Sequence, residues 1–141
     1  MTVPLWVLLG FALWTIAVLM AGIGIRRWTL ILTGNAQLTD FPADQPHGST
    51  AYRRAVRAHA NCVENLPVYG AIALTLFASN ISSATADAAA IVLLIARMCQ
   101  SSVHMAFVET NTTVLIRFSF FFLQLLAMLW LAGEVIRHVQ T

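Results

Sequence analysis

The sequence predicts an all-α integral membrane protein, a four-helix bundle. Three observations carry this expectation. Apolar residues make up 59% of the 141 residues and charged residues only 10%, whereas a soluble domain is roughly half apolar and about a quarter charged. Residues 4–25 form an uncharged run of 22 residues, and about 20 suffice to cross a bilayer. Ionisable groups also recur at helical spacing inside otherwise apolar stretches, a pattern of helices that face a bundle interior or a wet cavity. The length fits a single domain over 1–141.

Composition excludes other classes. Mean hydropathy is +0.77. Every Lys or Arg position is arginine, the net charge is +2, and the arginines form no long run, so nucleic acid is not an expected partner. Cys62 and Cys99 sit far apart in apolar stretches and read as core residues. No Cys-x-x-Cys or His-x-x-x-His pattern occurs, so no metal site is expected.

The first helix is expected over about 4–33. Trp6 and Trp28 stand near the ends of its apolar run as interfacial anchors. No basic segment precedes the run and no clear cleavage site follows it, so it reads as a retained helix rather than a signal peptide. Residues 34–51 hold Asp40, Pro42, Asp44, Pro46, His47 and Gly48 and read as a loop by turn chemistry, either a connector or a lid. Thr50 or Ser49 is the expected N-cap of a second helix over 51–79.

The second helix opens on a polar stretch, Arg53 to Pro67, that holds three arginines, a histidine, two asparagines and a glutamate. Arg54, Arg57, Asn61 and Glu64 fall at steps of three, four and three and share one face. Pro67 removes a backbone donor in mid-helix and is expected to bend it. A short polar turn follows Ser79.

A third helix is expected over 84–108. Arg97, Gln100 and His104 recur on one of its faces. Glu109 to Thr113 reads as a second turn, with Thr112 as the cap of a fourth helix over 114–138. Arg117, Phe121, Gln124 and Met128 share a face of that helix, and Gln100 and Gln124 could simply bond across helices. The Phe118 to Phe122 cluster reads as packing surface, and His59 as a surface or interfacial side chain.

Three helices thus carry polar faces, which together suggest one shared polar pocket within the four-helix unit. Two readings of it stand level. Arginine forks suit carboxylates, so it could be a site for an anionic ligand. Alternatively, Arg57, Glu64 and Arg97 could form a buried ion-pair network that only holds helices together. Arginine placement gives the orientation. Arg26, Arg27, Arg53, Arg54 and Arg57 flank the long loop, against little more than Arg137 at the other end, so the loop is expected in the cytoplasm and both termini on the opposite side.

The segment Arg57-Ala58-x-x-Asn61-x-x-Glu64-x-x-Pro67 resembles the second-helix signature of the MAPEG family, the membrane-associated proteins of eicosanoid and glutathione metabolism. The resemblance implies a four-span homotrimer that holds glutathione as co-substrate between subunits and takes a hydrophobic small molecule or lipid from the bilayer. It implies an activity of the microsomal glutathione transferase type, conjugation or peroxide reduction. Carried over to this chain, Arg57, Asn61, Glu64, Arg97, Gln100 and His104 bind glutathione. Arg117, at the start of Arg-Phe-Ser-Phe-Phe-Phe-Leu-Gln, activates its thiol. The chain departs from some members at Ala60, at Phe118, at His104, and at Gln37, which aligns with an arginine at the end of their first helix. A non-catalytic lipid-binding scaffold of the same fold is the main alternative, and a small transporter a third.

Overall fold

Uniformly apolar segments can hydrogen-bond their own backbone only as helices once water is removed, and this chain is built almost wholly from them. The computed structural model describes residues 1–42 and 47–140; Asp44 and Pro46 of the expected loop lie outside them. The helices are α1 (Val3–Leu19), α2 (Ile25–Leu32), α3 (Thr50–Ala78), α4 (Ala84–Ala106) and α5 (Asn111–Gln140). A π turn, Met20–Gly24, joins α1 to α2, so the two form one continuous span, Val3–Leu32. No strand occurs among the described residues.

The four long rods run up, down, up and down. The Tyr69 hydroxyl of α3 donates to the Pro4 carbonyl at 2.9 Å, while Tyr52 at the other end of α3 receives the Arg27 Nε of α2. Thr85 near the start of α4 likewise meets Glu134 near the end of α5 at 3.3 Å. The core is filled by Phe11, Tyr69, Leu76, Leu93 and Leu131, all but sealed from solvent. Ala73, Ala86 and Ala90 lie between them, and small side chains let helix backbones approach closely.

The outer surface is apolar. Leu13, Ile16, Leu74, Ile95 and Leu129 are each more than half exposed, a pattern suited to lipid rather than water. Hydroxyls on these helices bond inward to their own backbone: Thr15 to the Phe11 carbonyl at 2.9 Å, Thr75 to Ala71 at 2.8 Å and Ser119 to Leu115 at 3.0 Å. Such back-bonding satisfies a polar side chain without a partner helix. Three helices are long and apolar enough to cross a membrane: Val3–Leu32, Ala84–Ala106 and Asn111–His138. The fourth long helix, α3, has 29 residues, but its first half carries the polar stripe.

Three details differ from the sequence reading. The first helix is interrupted by the π turn, which a uniformly apolar run does not announce. The third helix ends at Ala106 and the fourth starts at Asn111, so the turn between them is shorter than expected. Thr112 is not the cap. Thr110 is: its hydroxyl accepts from the Thr113 amide at 3.2 Å while the Thr113 hydroxyl accepts from the Thr110 amide at 2.8 Å. A cap must lie just outside the helix and three residues from its partner. Gln37 lies, as expected, in the loop after the first helix. That span closes at Leu32, and the Gln37 amide donates to Asp40 Oδ2 at 2.8 Å in a separate 3₁₀ turn, Leu38–Asp40. At the next junction Ser49 caps α3, accepting from the Tyr52 amide at 3.3 Å.

The π turn carries a tight contact. A Cβ added to Gly22 would lie 2.9 Å from the Ala55 Cβ of α3, whereas one added to Gly133 would meet nothing within 4 Å. Gly22→Val should therefore destabilise the detergent-solubilised protein by about 1–3 kcal/mol through overpacking. Gly133→Ala should stay within about 0.5 kcal/mol of the parent. Paired melting curves of the two variants check this; equal melting temperatures would contradict it.

Candidate functional site

Helix α4 turns Arg97, Gln100, Ser101 and His104 inward, and all four are buried. Arg97 is the largest, at 1% exposure. Its guanidinium carbon lies 5.4 Å from the centroid of the Phe11 ring of α1, a cation–π contact worth more where water is excluded. Its Nε and Nη2 nevertheless find no hydrogen-bond partner. The nearby groups whose charge it would feel are the Cys62 thiol and the Glu64 carboxylate. Cys62 is fully buried, with its sulfur 3.4 Å from the Ser101 hydroxyl, which in turn donates to the Arg97 carbonyl at 2.8 Å. Buried donors left unpaired cost about 1–3 kcal/mol each, which makes Arg97 the candidate in this bundle for holding an acceptor.

One turn further along α4, Gln124 of α5 donates from Nε2 to Gln100 Oε1 at 3.0 Å and to the Phe120 carbonyl at 2.9 Å. This pair stitches α4 to α5 in the middle of their seam. At the loop end of the seam stands a cluster of three. Glu109, in the turn between the two helices, places Oε1 3.2 Å from Arg117 Nη1 and 4.0 Å from His104 Nε2. Side-chain exposures are 48% for Glu109, 18% for Arg117 and 5% for His104, so the carboxylate is the one member of the three largely in contact with solvent. The hydrogen bond from Arg117 holds the Glu109 carboxyl below the usual carboxylate range. Burial opposes this, and the fields of Arg117, Arg57 and His104 add to it.

The stripe on α3 flanks this seam. Arg57 and Glu64 are exposed and Arg54 and Asn61 partly so, while the neighbouring face of the helix, through Ala55, Ala58 and Cys62, is packed into the bundle. Charges still reach across: Glu64 acts on Arg97, and Arg57 and Arg54 act on His104. The three polar faces expected to share a pocket thus lie within electrostatic range of one another. Arg57, Glu64 and Arg97 do not form a buried network: among the described residues no two of them lie within ion-pair distance. His59 is half-buried, with Nδ1 enclosed and unpartnered. Phe118 and Phe122 stack at 6.3 Å on the outer surface.

One member of the seam escaped the sequence reading. Glu109 reads as a turn residue, and its partner Arg117 lies eight positions on, outside any helical rule. The bond of Gln124 to Gln100 across the helices is the one their placement on two helix faces allows. A cleft of about 390 Å³ opens at the far end of the bundle, beside Asn80, Ser83 and Glu134, but Glu134 is already paired there with Arg137 at 2.9 Å.

The glutamine pair gives a direct test of the seam. Gln124→Leu should cost about 0.5–2 kcal/mol, because Gln100 Oε1 loses its donor inside a membrane helix pair. Adding Gln100→Leu should recover part of that loss, since two apolar groups need no partner. A double-mutant cycle on thermal melting measures the coupling, and additive losses would show the bond to be energetically idle.

A search among curated proteins found no match. The family description of MAPEG matches residues 3–137, from the first residue of α1 almost to the end of α5. A match of that extent, on an all-helical chain with three membrane-crossing helices, establishes that the chain belongs to the MAPEG family, the membrane-associated proteins of eicosanoid and glutathione metabolism.

Proposed function

We propose that the protein is a membrane-bound glutathione transferase or peroxidase that acts on hydrophobic electrophiles or lipid peroxides as a homotrimer. The observation that carries this reading is Arg97. A sealed guanidinium with two free donors suits a ligand carboxylate, which takes a bidentate fork. The α3 stripe supports it. Arg57, Asn61 and Glu64 lie open on a helix whose other face is packed, and in a membrane such a face is stable only when covered. A second copy of the chain would cover it and would bring its stripe toward the α4–α5 seam. Glutathione offers two carboxylates, an amine and two amides to such a divided site. Arg57, Asn61, Glu64, Arg97, Gln100 and His104 would hold it.

The chemistry then falls to Arg117. A fixed cation beside a thiol lowers its pKa from about 8.5 and raises the thiolate fraction at neutral pH. The thiolate attacks an electrophilic carbon, forming the carbon–sulfur bond as halide leaves. With a hydroperoxide it attacks the O–O bond instead: sulfur takes one oxygen and the alcohol leaves with a proton. A second glutathione then gives the disulfide and water. The alternative, a lipid-binding scaffold without catalysis, is favoured by one observation: Arg117 is already engaged by Glu109.

Two measurements separate the readings. Purified protein with glutathione and a chlorinated nitroaromatic should release chloride and form the thioether, and Arg117→Ala should slow this on the order of a hundredfold while glutathione still binds. Binding without turnover in the parent would put the scaffold reading ahead.

The divided site predicts a second result. Asn61→Ala and Glu64→Gln should each weaken glutathione binding by roughly tenfold or more, the loss of one charge-assisted hydrogen bond, and the detergent-corrected mass should correspond to three chains. Calorimetric titration and sedimentation check these. A monomer that binds with unchanged affinity in both variants would count against a site shared between subunits.

A further inference from the structure

We propose that Glu109 is a positioning residue: it holds the Arg117 guanidinium when the site is empty and competes with the bound thiol for that cation. The proposal rests on the transferase reading above and adds to it an internal brake on thiol activation.

The geometry is specific. The turn between α4 and α5 is short and is locked by Thr113. The Thr113 hydroxyl donates to the Val108 carbonyl at 2.9 Å, and Thr113 exchanges hydrogen bonds with Thr110 on either side of the cap. That lock fixes the backbone on both sides of Glu109. The carboxylate then reaches Arg117 Nη1 at 3.2 Å and lies 4.0 Å from His104 Nε2. The charged or titratable groups around it are His104 from α4, Arg117 from α5 and, at longer range, Arg57 from α3, while Arg54 acts on His104. His104 and Arg117 are largely enclosed, whereas Glu109 is half exposed. Pairing with an exposed carboxylate is worth little net stability, so the contact can yield to a stronger ligand without a large cost to the fold.

A carboxylate in that place affects a thiol in two ways of the same sign. It neutralises part of the Arg117 charge, and as a like charge it directly disfavours a neighbouring thiolate. Removing it therefore makes the bound thiol more acidic. The first effect passes through Arg117, 3.2 Å from the carboxylate, and outweighs the second, which acts from a half-exposed group screened by solvent, so most of the shift must vanish when Arg117 is absent.

The test is the ultraviolet thiolate band of bound glutathione, titrated with pH in the full-length trimer for the parent, Glu109→Gln, Arg117→Ala and the double variant. Glu109→Gln should lower the midpoint by about one pH unit, a tenfold change in thiolate fraction below the midpoint. The rise of the conjugation rate with pH should move by the same amount. In the Arg117→Ala background the substitution should shift the midpoint by less than a third as much. Glu109→Asp should restore the parent titration, and Glu109→Ala gives a second route should the glutamine protein fold poorly. An unchanged midpoint, or equal shifts with and without Arg117, would overturn the proposal. A parent protein that binds no glutathione would overturn the transferase reading itself, and the brake with it.

Discussion

Arg97 can neither shed its charge nor reach solvent, and much of the bundle is arranged around that fact. Its side chain is fully enclosed, and a guanidinium stays protonated in any protein environment. The surrounding positions answer to it. Phe11 offers a ring face from α1. Cys62 and Ser101 fill the space beside it with small, weakly polar groups. Tyr69, 6.3 Å from Phe11 between ring centroids, sends its hydroxyl away to the Pro4 carbonyl. A cation held only by a ring and a thiol is incompletely satisfied, and that deficit turns a structural residue into a candidate for ligand capture.

The same accounting divides the molecule into two polar systems. Along the α4–α5 seam, Gln100 meets Gln124 and Arg117 meets Glu109, so these groups are served within the chain. Along α3, Arg57 and Glu64 are exposed and, among the described residues, make no ion pair with each other or with Arg97. Polar side chains are thus bonded to one another on one side of the chain and turned to the surface on the other.

Much of the fold was legible in the sequence because its signals are local. The uncharged run at 4–25, the i, i+3, i+4 spacing of Arg54, Arg57, Asn61 and Glu64, and the serine before α3 each act within a few residues. The spacing of Arg97, Gln100 and His104 likewise placed them on one face, which is the buried one. What was not legible depends on choices among near-equals or on distance in sequence. Three threonines near the start of α5 are similar cap candidates, and only backbone position selects Thr110 over Thr112. Whether the stripe of α3 turned inward or outward was decided by which side α1 and α4 occupy. Glu109 found Arg117 only because a four-residue turn folds back on the helix that follows it.

The π turn at Met20–Gly24 has a consequence for how this chain tolerates change in length. A π turn is an α-helix carrying one surplus residue, and each residue advances a helix by about 100°. The surplus sets the rotational phase of α2 relative to α1. It brings Arg27 over both the Phe41 and Tyr52 rings and Arg26 within 5.9 Å of Tyr52. Loss of one residue anywhere within Met20–Gly24 would leave the span nearly as long and just as apolar, yet would swing both arginines off those rings. The first span is therefore indifferent to substitution over much of its outer face but keyed to its residue count, like a screw thread whose final angle matters more than its material.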